Sequence, residues 1–264
     1  MILIKYGGHA MIDPSLSSSF LSEVVELEKK GEQVIVVHGG GPQIEAELKS
    51  KSITSTSIAG LRVTTPEMMN VIEMVLTGRV LRDVTNSIIQ AGGKSIGITG
   101  RDARLLIAKK ITESATGEPI EVGQVGEIIH VNPEVLITLL DAGYIPVVAP
   151  VSADLSGNVF NVNADSAAGA IAGAMKVDRV IFLTDVPGLL SNWPDQASLI
   201  KQLSYREAKA ILPTLSDGMI PKIAACLHAI EQGAKSAQIV DGREPHVLSR
   251  ALSDENQVGT VITV

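Results

Sequence analysis

The stretch VVHGGG at Val36–Gly41 decides the fold, because it places three consecutive glycines directly after an apolar run. A similar stretch, KYGG at Lys5–Gly8, closes the apolar run that begins at Ile2. Apolar runs that end in glycine loops and precede helical patterns are typical of strands in a parallel α/β sheet. Loops that follow parallel strands lie at one carboxyl edge, where α/β proteins bind ligands. The sequence therefore predicts an α/β fold with two glycine loops at one binding edge.

The alternation of strands and helices continues along the whole chain. Strands are predicted at Ile2–Lys5, Gln33–Val37, Ser95–Thr99, Leu105–Lys109, Glu127–Val131, Tyr144–Ala149, Val180–Thr184, Ser236–Val240 and Thr260–Thr263. Helices are predicted at Ser15–Lys30, Pro42–Ser50, Pro66–Thr77, Arg79–Ala91, Asn132–Ala142, Ala164–Met175, Tyr205–Leu212, Pro221–Glu231 and Pro245–Ala251. A hairpin is predicted around Ser156–Gly157, and a boundary between two lobes around Lys176–Asp178.

The composition excludes several classes of protein. Apolar residues make up 45% of the 264 residues and aromatic residues only 3%, which suits a parallel sheet covered by helices. The net charge of −7 argues against nucleic acid or an anionic membrane as a partner. The single cysteine, Cys226, excludes an internal disulfide framework and a cysteine-based metal site. Without a signal peptide or an apolar run of transmembrane length, a cytoplasmic protein is expected.

The two common phosphate-binding motifs are incomplete in this chain. In a dinucleotide fingerprint, Gly39 and Gly41 would supply the first two glycines, but Ile44 stands at the third position. In a Walker loop, GGKS at Gly92–Ser95 would supply the end, but Ile88 stands where the first glycine belongs. Two interpretations of the N-terminal glycine loops remain: an anion site built from backbone N–H groups, or a pair of tight turns. Their placement at one sheet edge favours the anion site.

Charged and amide side chains near the predicted edge are candidate site residues. Lys5 ends the first strand beside the glycines. It either binds phosphate as a point charge or is a solvated residue at the end of the strand. FNVNAD at Phe160–Asp165 puts two asparagines and an aspartate before a helix, and a helix cap needs only one of them. SDGMIPK at Ser216–Lys222 is another loop that leads into a helix with a lysine in it, and its alternative interpretation is an ordinary helix start.

Two further residues have competing interpretations. Arg62 lies in GLRVTT, predicted as a loop before a helix, where an arginine either binds a carboxylate in bidentate fashion or is simply solvated. His38 ends the second strand and is either a general base or an orienting, hydrogen-bonded histidine. The orienting role is the favoured interpretation.

Together, KYGG, VVHGGG, GLRVT, NVNAD, DVPGLL and DGMIPK, in this order from Lys5 to Lys222, resemble the motifs of the amino acid kinase family. The resemblance implies an open, mainly parallel αβα sandwich. It implies an N-terminal lobe, residues 1–176, for the acidic substrate and dimerisation, and a C-terminal lobe, 177–264, for ATP. GLRVT and NVNAD point to family members that phosphorylate the side-chain carboxylate of N-acetyl-L-glutamate in arginine biosynthesis. The alternative is a sister kinase that acts on an aminoadipate derivative or another small carboxylate.

The resemblance also implies site residues and cofactors. ATP and Mg²⁺ are the implied cofactors, and no metal ligand of the protein is implied. The catalytic residues would be Lys5 and Lys222, on either side of the migrating phosphoryl group, and Asp165, which holds both lysines. The residues implied to bind the acid are Gly40, Gly41, Arg62 and Asn161, and those implied to bind phosphate are Gly8, Gly39 and Gly40. The residues implied to border the nucleotide are Asp185, Val186, Pro187, Gly188, Leu189, Leu190, Asp217, Gly218 and Met219.

This chemistry explains why the motifs consist of glycines and lysines. A carboxylate is already ionised at neutral pH and needs no general base. It needs proximity to ATP and relief from repulsion between anions, which lysines and oriented N–H groups provide. Because the chain begins at a strand, without the N-terminal helix of arginine-inhibited family members, a homodimer insensitive to arginine is expected.

Overall fold

The computed structural model describes residues 1–114, 117–215, 218–253 and 258–264. Its strands are β1 (Ile2–Tyr6), β2 (Val34–His38), β3 (Ser57–Ile58), β4 (Leu61–Arg62), β5 (Ser95–Thr99), β6 (Leu106–Lys110), β7 (Val125–Val131), β8 (Ile145–Ala149), β9 (Val151–Ala153), β10 (Val159–Val162), β11 (Arg179–Thr184), β12 (Leu189–Leu190), β13 (Leu199–Ile200), β14 (Gln202–Ser204), β15 (Ser236–Asp241) and β16 (Thr260–Thr263). Its α-helices are α1 (Pro14–Lys29), α2 (Gly41–Ser50), α3 (Pro66–Glu73), α4 (Leu81–Gln90), α5 (Glu134–Asp141), α6 (Ala164–Ala174), α7 (Tyr205–Ile211), α8 (Ile220–Glu231) and α9 (Val247–Leu252).

The main sheet is open and mostly parallel, as predicted. Its strand order over the described residues is β14-β16-β15-β11-β1-β2-β8-β5. The six strands from β15 to β5 run parallel to one another. β16 pairs antiparallel with β15, and β14 pairs parallel with β16, so these two strands run opposite to the other six. Strands from both sides of the proposed lobe boundary share this sheet, because β1 pairs with β11.

Helices cover both faces of the sheet. Successive side chains of each strand point alternately toward one face and then the other. Ile2, Ile4 and Tyr6 of β1 pack into one core cluster, to which α1, α3, α4 and α9 contribute. Leu3 packs into the other cluster, with residues of α5, α6, α7 and α8. Since successive side chains of a strand point to opposite faces, Lys5 lies on the same face as Leu3. The alternation of β1 therefore directs its lysine toward α6 and α8.

Glycines let α6 and α8 pack closely and in parallel. A Cβ atom on Gly169 would lie 2.7 Å from the carbonyl oxygen of Ala225, and one on Gly173 would meet the side chain of Gln232. Residue numbers increase together along both helices in these contacts, so the helices run side by side in the same direction. Their N-terminal ends therefore lie next to each other, and each carries one charged residue predicted for the site, Asp165 or Lys222.

A smaller sheet stands beside the main one. Its strands β10, β7, β6 and β9 close on themselves, with β9 and β10 forming the predicted antiparallel hairpin. Asn161 lies in β10, two residues before α6 begins at its cap Asn163. This connection links the small sheet directly to the helix that carries Asp165.

The structure corrects two local predictions. The helices predicted at Pro66–Thr77 and Arg79–Ala91 are one continuous helical run, joined by a π-helical segment at Met74–Val80. The π-helical segment has a wider turn than an α-helix and keeps Val75, Leu76 and Val80 buried in the core. Gly78, which separates the two predicted helices, therefore does not interrupt the helical run. The predicted loop around Arg62 is instead a short hairpin of β3 and β4. The strands β12, β13 and β14 were not predicted, because two- and three-residue strands carry little periodicity.

None of the helices in the described ranges has the length and apolar character that crossing a bilayer requires.

Candidate active site

Two lysines from distant parts of the chain meet at one buried aspartate. The Nζ atom of Lys5, in β1, lies 2.9 Å from Oδ1 of Asp165. The Nζ atom of Lys222, in the first turn of α8, lies 3.7 Å from Oδ2 of the same carboxylate. Asp165 is only 5% exposed, and it sits in the first turn of α6. The three residues predicted to be catalytic are therefore brought together, with one lysine on each carboxylate oxygen.

The lysines keep the buried carboxylate ionised. Burial by itself would raise the pKa of Asp165, since a charged group loses solvation in the interior. The positive charges of Lys5 and then Lys222 outweigh burial and hold that pKa below its ordinary value. With two lysines around one aspartate, this cluster has a formal charge of +1. A local positive site therefore exists in a chain whose formal net charge is −7.

A first cavity of about 250 Å³ opens beside Lys5 and Asp165. Its lining residues are Lys5, Gly39, Gly41, Ile44, Gly60, Leu61, Arg62, Leu76, Val125, Pro150, Asn161, Val162, Asn163, Ala164 and Asp165. The N-terminal ends of α2 and α6 both border it, through Gly41 and Ala164. Helix N-termini carry partial positive charge and unpaired N–H groups, so this cavity favours an anion. Ile44, Leu61, Leu76 and Val125 add apolar surface beside the polar side chains of the lining.

Arg62 and Asn161 face this cavity from the hairpin and from the small sheet. The guanidinium of Arg62 contacts Glu45 at 2.6 Å and also donates to Ser55. The amide of Asn161 donates to the hydroxyl of Thr64 at 3.2 Å. Thr64 is fully buried, and its hydroxyl donates in turn to the Arg62 carbonyl. The two predicted acid-binding residues are thus joined through Thr64, which the sequence reasoning did not single out.

The two asparagines of the NVNAD motif have different roles. The Asn163 side chain caps α6, accepting hydrogen bonds from the N–H groups of Asp165 and Ser166 at 2.8 and 3.1 Å. One residue of the motif thus serves as a helix cap. Asn161 and Asp165 remain directed at the cavity, which agrees with the argument that a cap needs only one polar residue.

The first glycine loop leaves space for charged groups. A Cβ atom on Gly7 would lie 2.6 Å from Nζ of Lys5, so the missing side chain makes room for the ammonium group. Gly8 has a φ angle of +72°, and a Cβ atom there would lie 2.5 Å from a carboxylate oxygen of Asp185. Both of these features of Gly8 require glycine at that position.

The second glycine loop borders the first cavity through alternate residues. Gly39 and Gly41 line this cavity, and a Cβ atom on Gly41 would project into open space. Between them, Gly40 packs so closely against Leu76 that a Cβ atom would lie 2.5 Å from it. Gly40 therefore allows the π-helical segment to approach the loop.

A second cavity, of about 510 Å³, lies on the Lys222 side of the cluster. Its lining residues are Val186, Gly188, Leu189, Leu190, Ser191, Trp193, Thr214, Leu215, Gly218, Met219 and Lys222. Most residues predicted to border the nucleotide are among them. Asp185 instead approaches Gly8, Pro187 is outside this lining, and Asp217 lies outside the described residues. Asp165 lines the first cavity and lies 3.7 Å from Lys222, which lines the second, so the two cavities lie on either side of this ion pair.

His38 is buried and uncharged behind the second glycine loop. Its Nδ1 atom lies 2.6 Å from the carbonyl oxygen of Gly39, which only accepts hydrogen bonds, so Nδ1 carries the proton. Burial lowers the pKa of His38 to about 4, while the bond to Gly39 raises it in part. Within the described residues Nε2 has no hydrogen-bond partner. The geometry fits the orienting role favoured from the sequence.

Several lining residues escaped the sequence reasoning. Ile44, Leu61, Leu76 and Val125 form apolar walls of the first cavity, and Trp193 borders the second. Aliphatic side chains give no local signal that distinguishes a ligand-facing position from the core. Trp193 lies in the loop SNWPDQ at Ser191–Gln196, which the resemblance placed in a variable region near the nucleotide without assigning it a role.

Comparisons with known proteins agree on one family. A family model described as the amino acid kinase family matches residues 1–241. A relative from Corynebacterium urealyticum named acetylglutamate kinase is 44% identical over 263 residues, 100% of this chain and 86% of the relative. Another of that name, from an Arthrobacter species, is 45% identical over 267 residues, 99% of this chain and 86% of the relative.

Among solved structures, the N-acetylglutamate synthase from Neisseria gonorrhoeae, complexed with coenzyme A and N-acetyl-glutamate, is similar with a TM-score of 0.86. The match covers 100% of this chain and 59% of that chain, at 20% sequence identity. At this identity the likeness shows that the two proteins share a fold.

The lowered pKa of His38 predicts a pH-dependent loss of stability. Between about pH 6.5 and pH 4, the unfolded chain binds a proton at this residue and the folded chain does not, so stability falls as pH falls. From pH 7 to pH 5, this linkage amounts to about 2 kcal/mol. His38→Asn keeps a donor for Gly39 but does not titrate. Urea unfolding should therefore show wild type losing about 2 kcal/mol more than the variant over this interval; equal losses would contradict the prediction.

Proposed function

Because this chain belongs to the amino acid kinase family, we propose that it transfers the γ-phosphoryl group of ATP to the side-chain carboxylate of N-acetyl-L-glutamate. The products are N-acetyl-L-glutamyl 5-phosphate and ADP, and the reaction belongs to arginine biosynthesis. Relatives that span the whole chain at 43–45% identity are named acetylglutamate kinase.

One observation carries the proposal: two lysines, one lining each of the two cavities, contact opposite oxygens of one buried aspartate. A phosphoryl transfer between two bound substrates needs a positive site at the point of contact between them. The first cavity supports the placement of the acid, and the larger, more apolar second cavity supports the placement of the nucleotide.

In the proposed reaction a carboxylate oxygen of the acid attacks the γ-phosphorus, and the bond from that phosphorus to the bridging oxygen of ADP breaks. No proton is transferred, because the attacking carboxylate is already ionised. Lys5 stabilises the migrating group from the acid side, and Lys222 stabilises it from the nucleotide side. Asp165 contacts neither substrate in this scheme and keeps the two ammonium groups in position. The glycine loops offer N–H groups to the same phosphoryl oxygens.

Recognition of the acid follows from the first cavity. We propose that Arg62 and Asn161 bind the α-carboxylate and neighbouring polar groups, while Ile44 and Leu61 contact the aliphatic part. Arg62 already contacts Glu45, so the substrate carboxylate would compete with that carboxylate for the guanidinium. An arginine suits this role because its planar group binds a carboxylate through two parallel hydrogen bonds.

We propose that Mg²⁺ arrives bound to the phosphates of ATP. The described residues contain no group of three or more His, Cys, Asp or Glu side chains that could hold a metal ion. The carboxylate at the centre of the site, Asp165, is occupied by both lysines. Mg²⁺ is commonly bound through substrate phosphates and water with few protein ligands. The homodimer, the cytoplasmic location and the lobe boundary at 176–177 stay predictions.

The substrate is tested by ADP release from ATP across a panel of acids. N-acetyl-L-glutamate should support turnover at least about 10²-fold above N-acetyl-L-aspartate, since a shorter acid would not reach the phosphoryl group from the same carboxylate anchor. Carbamate, aspartate and N-acetyl-aminoadipate complete the panel. Greater kcat/KM for any of these acids would assign the chain to a sister kinase.

Removing either lysine should lower turnover with the fold intact. In Lys5→Ala and Lys222→Ala, kcat should fall by about 10²-fold or more, because each variant loses a preorganised positive charge at the phosphoryl group. Lys235→Ala is a matched control, since Lys235 contacts Asp178 at an exposed site away from the cavities. Circular dichroism checks folding. Near-normal turnover of a folded Lys5 or Lys222 variant would refute the proposed roles.

Arg62→Ala should affect the acid and not the nucleotide. We expect KM for N-acetyl-L-glutamate to rise by about 10- to 100-fold, corresponding to the loss of a charge-assisted hydrogen bond, with little change in KM for ATP. Arg62→Lys, which keeps the charge without the planar group, should give an intermediate value. If KM for ATP rose instead, Arg62 would belong to the nucleotide site.

A further inference from the structure

We propose that Trp193 stacks on the purine base of the nucleotide and closes the outer end of the second cavity. This inference rests on the proposed function, because it requires a nucleotide in that cavity. It adds a base-binding residue from a loop to which the family resemblance assigned no role.

Trp193 occupies an unusual place for its residue type. It is the single tryptophan of the chain and is 71% exposed, yet it lines the second cavity. Large aromatic side chains gain most by burial, so an indole left in water at a cavity mouth is suited to bury itself against a ligand. Its exposure places it at the outer rim of the cavity.

The other end of the same cavity is charged. Lys222 lines it and contacts Asp165, so the phosphates would lie at this inner end. The rest of the lining includes the apolar side chains of Leu189, Leu215 and Met219, together with Ser191 and Thr214. A nucleotide changes in character along its length in the same order as the cavity, from anionic phosphates at one end to a flat, weakly polar base at the other. The purine would therefore lie among the aliphatic side chains and below the indole.

The backbone around Trp193 is held in place by its own loop. The hydroxyl of Ser198 accepts a hydrogen bond from the N–H of Asn192 at 3.0 Å and donates to the carbonyl of Asp195 at 2.6 Å. The N–H of Asp195 also donates to the carbonyl of Asn192 at 2.8 Å. The strands β12 and β13 pair at the base of this loop. Binding would thus order little backbone, which favours affinity.

Stacking has a recognisable signature. Removal of an aromatic platform weakens base binding by about 5- to 100-fold and tolerates different bases, because every base has a π face. The contact should affect ligands that carry a base and leave base-free phosphates unaffected. Since the chain has one tryptophan, its fluorescence reports on this position alone.

The test compares ADP with inorganic tripolyphosphate, which has phosphates and no base. In wild type, ADP should quench tryptophan fluorescence and tripolyphosphate should not. By calorimetry, Trp193→Ala should bind ADP about 5- to 100-fold more weakly and tripolyphosphate with unchanged affinity, whereas Trp193→Phe should retain most ADP affinity. KM for the acid should stay the same in both variants. Leu155→Ala, which truncates a side chain that is 68% exposed outside both cavity linings, is the matched control.

Three results would overturn the inference. Unchanged ADP affinity in Trp193→Ala would show that the indole does not contact the base, and would leave the proposed function standing. Equal quenching by tripolyphosphate would show that Trp193 senses phosphate binding and not the base. If wild type bound neither ADP nor ATP at millimolar concentration, the proposed function itself would fail together with the inference.

Discussion

The site depends on one interaction: the carboxylate of Asp165, buried and ionised, between the ammonium groups of Lys5 and Lys222. A lone charge at this depth would be costly, so the carboxylate needs a cationic partner. Three elements must therefore keep their positions together. β1 supplies Lys5 through its alternation, α6 supplies Asp165 in its first turn, and α8 supplies Lys222 at the same level. The close parallel packing of α6 against α8, which Gly169 and Gly173 permit, is a structural requirement of this cluster.

The same cluster creates a local positive site in a chain whose net charge is −7. The surplus of one positive charge is local, and helix N-termini at Gly41 and Ala164 add partial positive charge without titratable groups. Preorganised charges of this kind are most effective where water is limited, since they need no reorganisation during the reaction. His38 contributes in another way. Buried and with a lowered pKa, it donates a hydrogen bond to the Gly39 carbonyl, and the proposed carboxylate nucleophile would need no general base.

Local patterns predicted most regular elements within one or two residues. Ser95–Thr99 and Thr260–Thr263 match their predicted bounds, and Asn163 caps α6 as its residue type indicates. The failures have physical reasons. Gly78 indicated a break, but core packing on both sides maintains a π-helical turn through it. Arg62 was predicted in a loop because a two-residue strand gives no periodic signal, and its hairpin is defined by pairing with Ser57.

The sequence alone determined the parallel α/β class, the glycine loops at one sheet edge and the identity of the charged residues, because periodicity and residue type are local properties. Local patterns did not determine that Lys5 and Lys222 share one carboxylate, which only the family resemblance implied, that each lysine lines a different cavity, or that the exposed Trp193 lines the second. Those facts are distances between residues far apart in the chain, and they depend on strand order, helix register and close packing. Only the tertiary structure decided them, because a distance between residues far apart in the chain depends on many packing contacts. No single stretch of sequence contains all of those contacts.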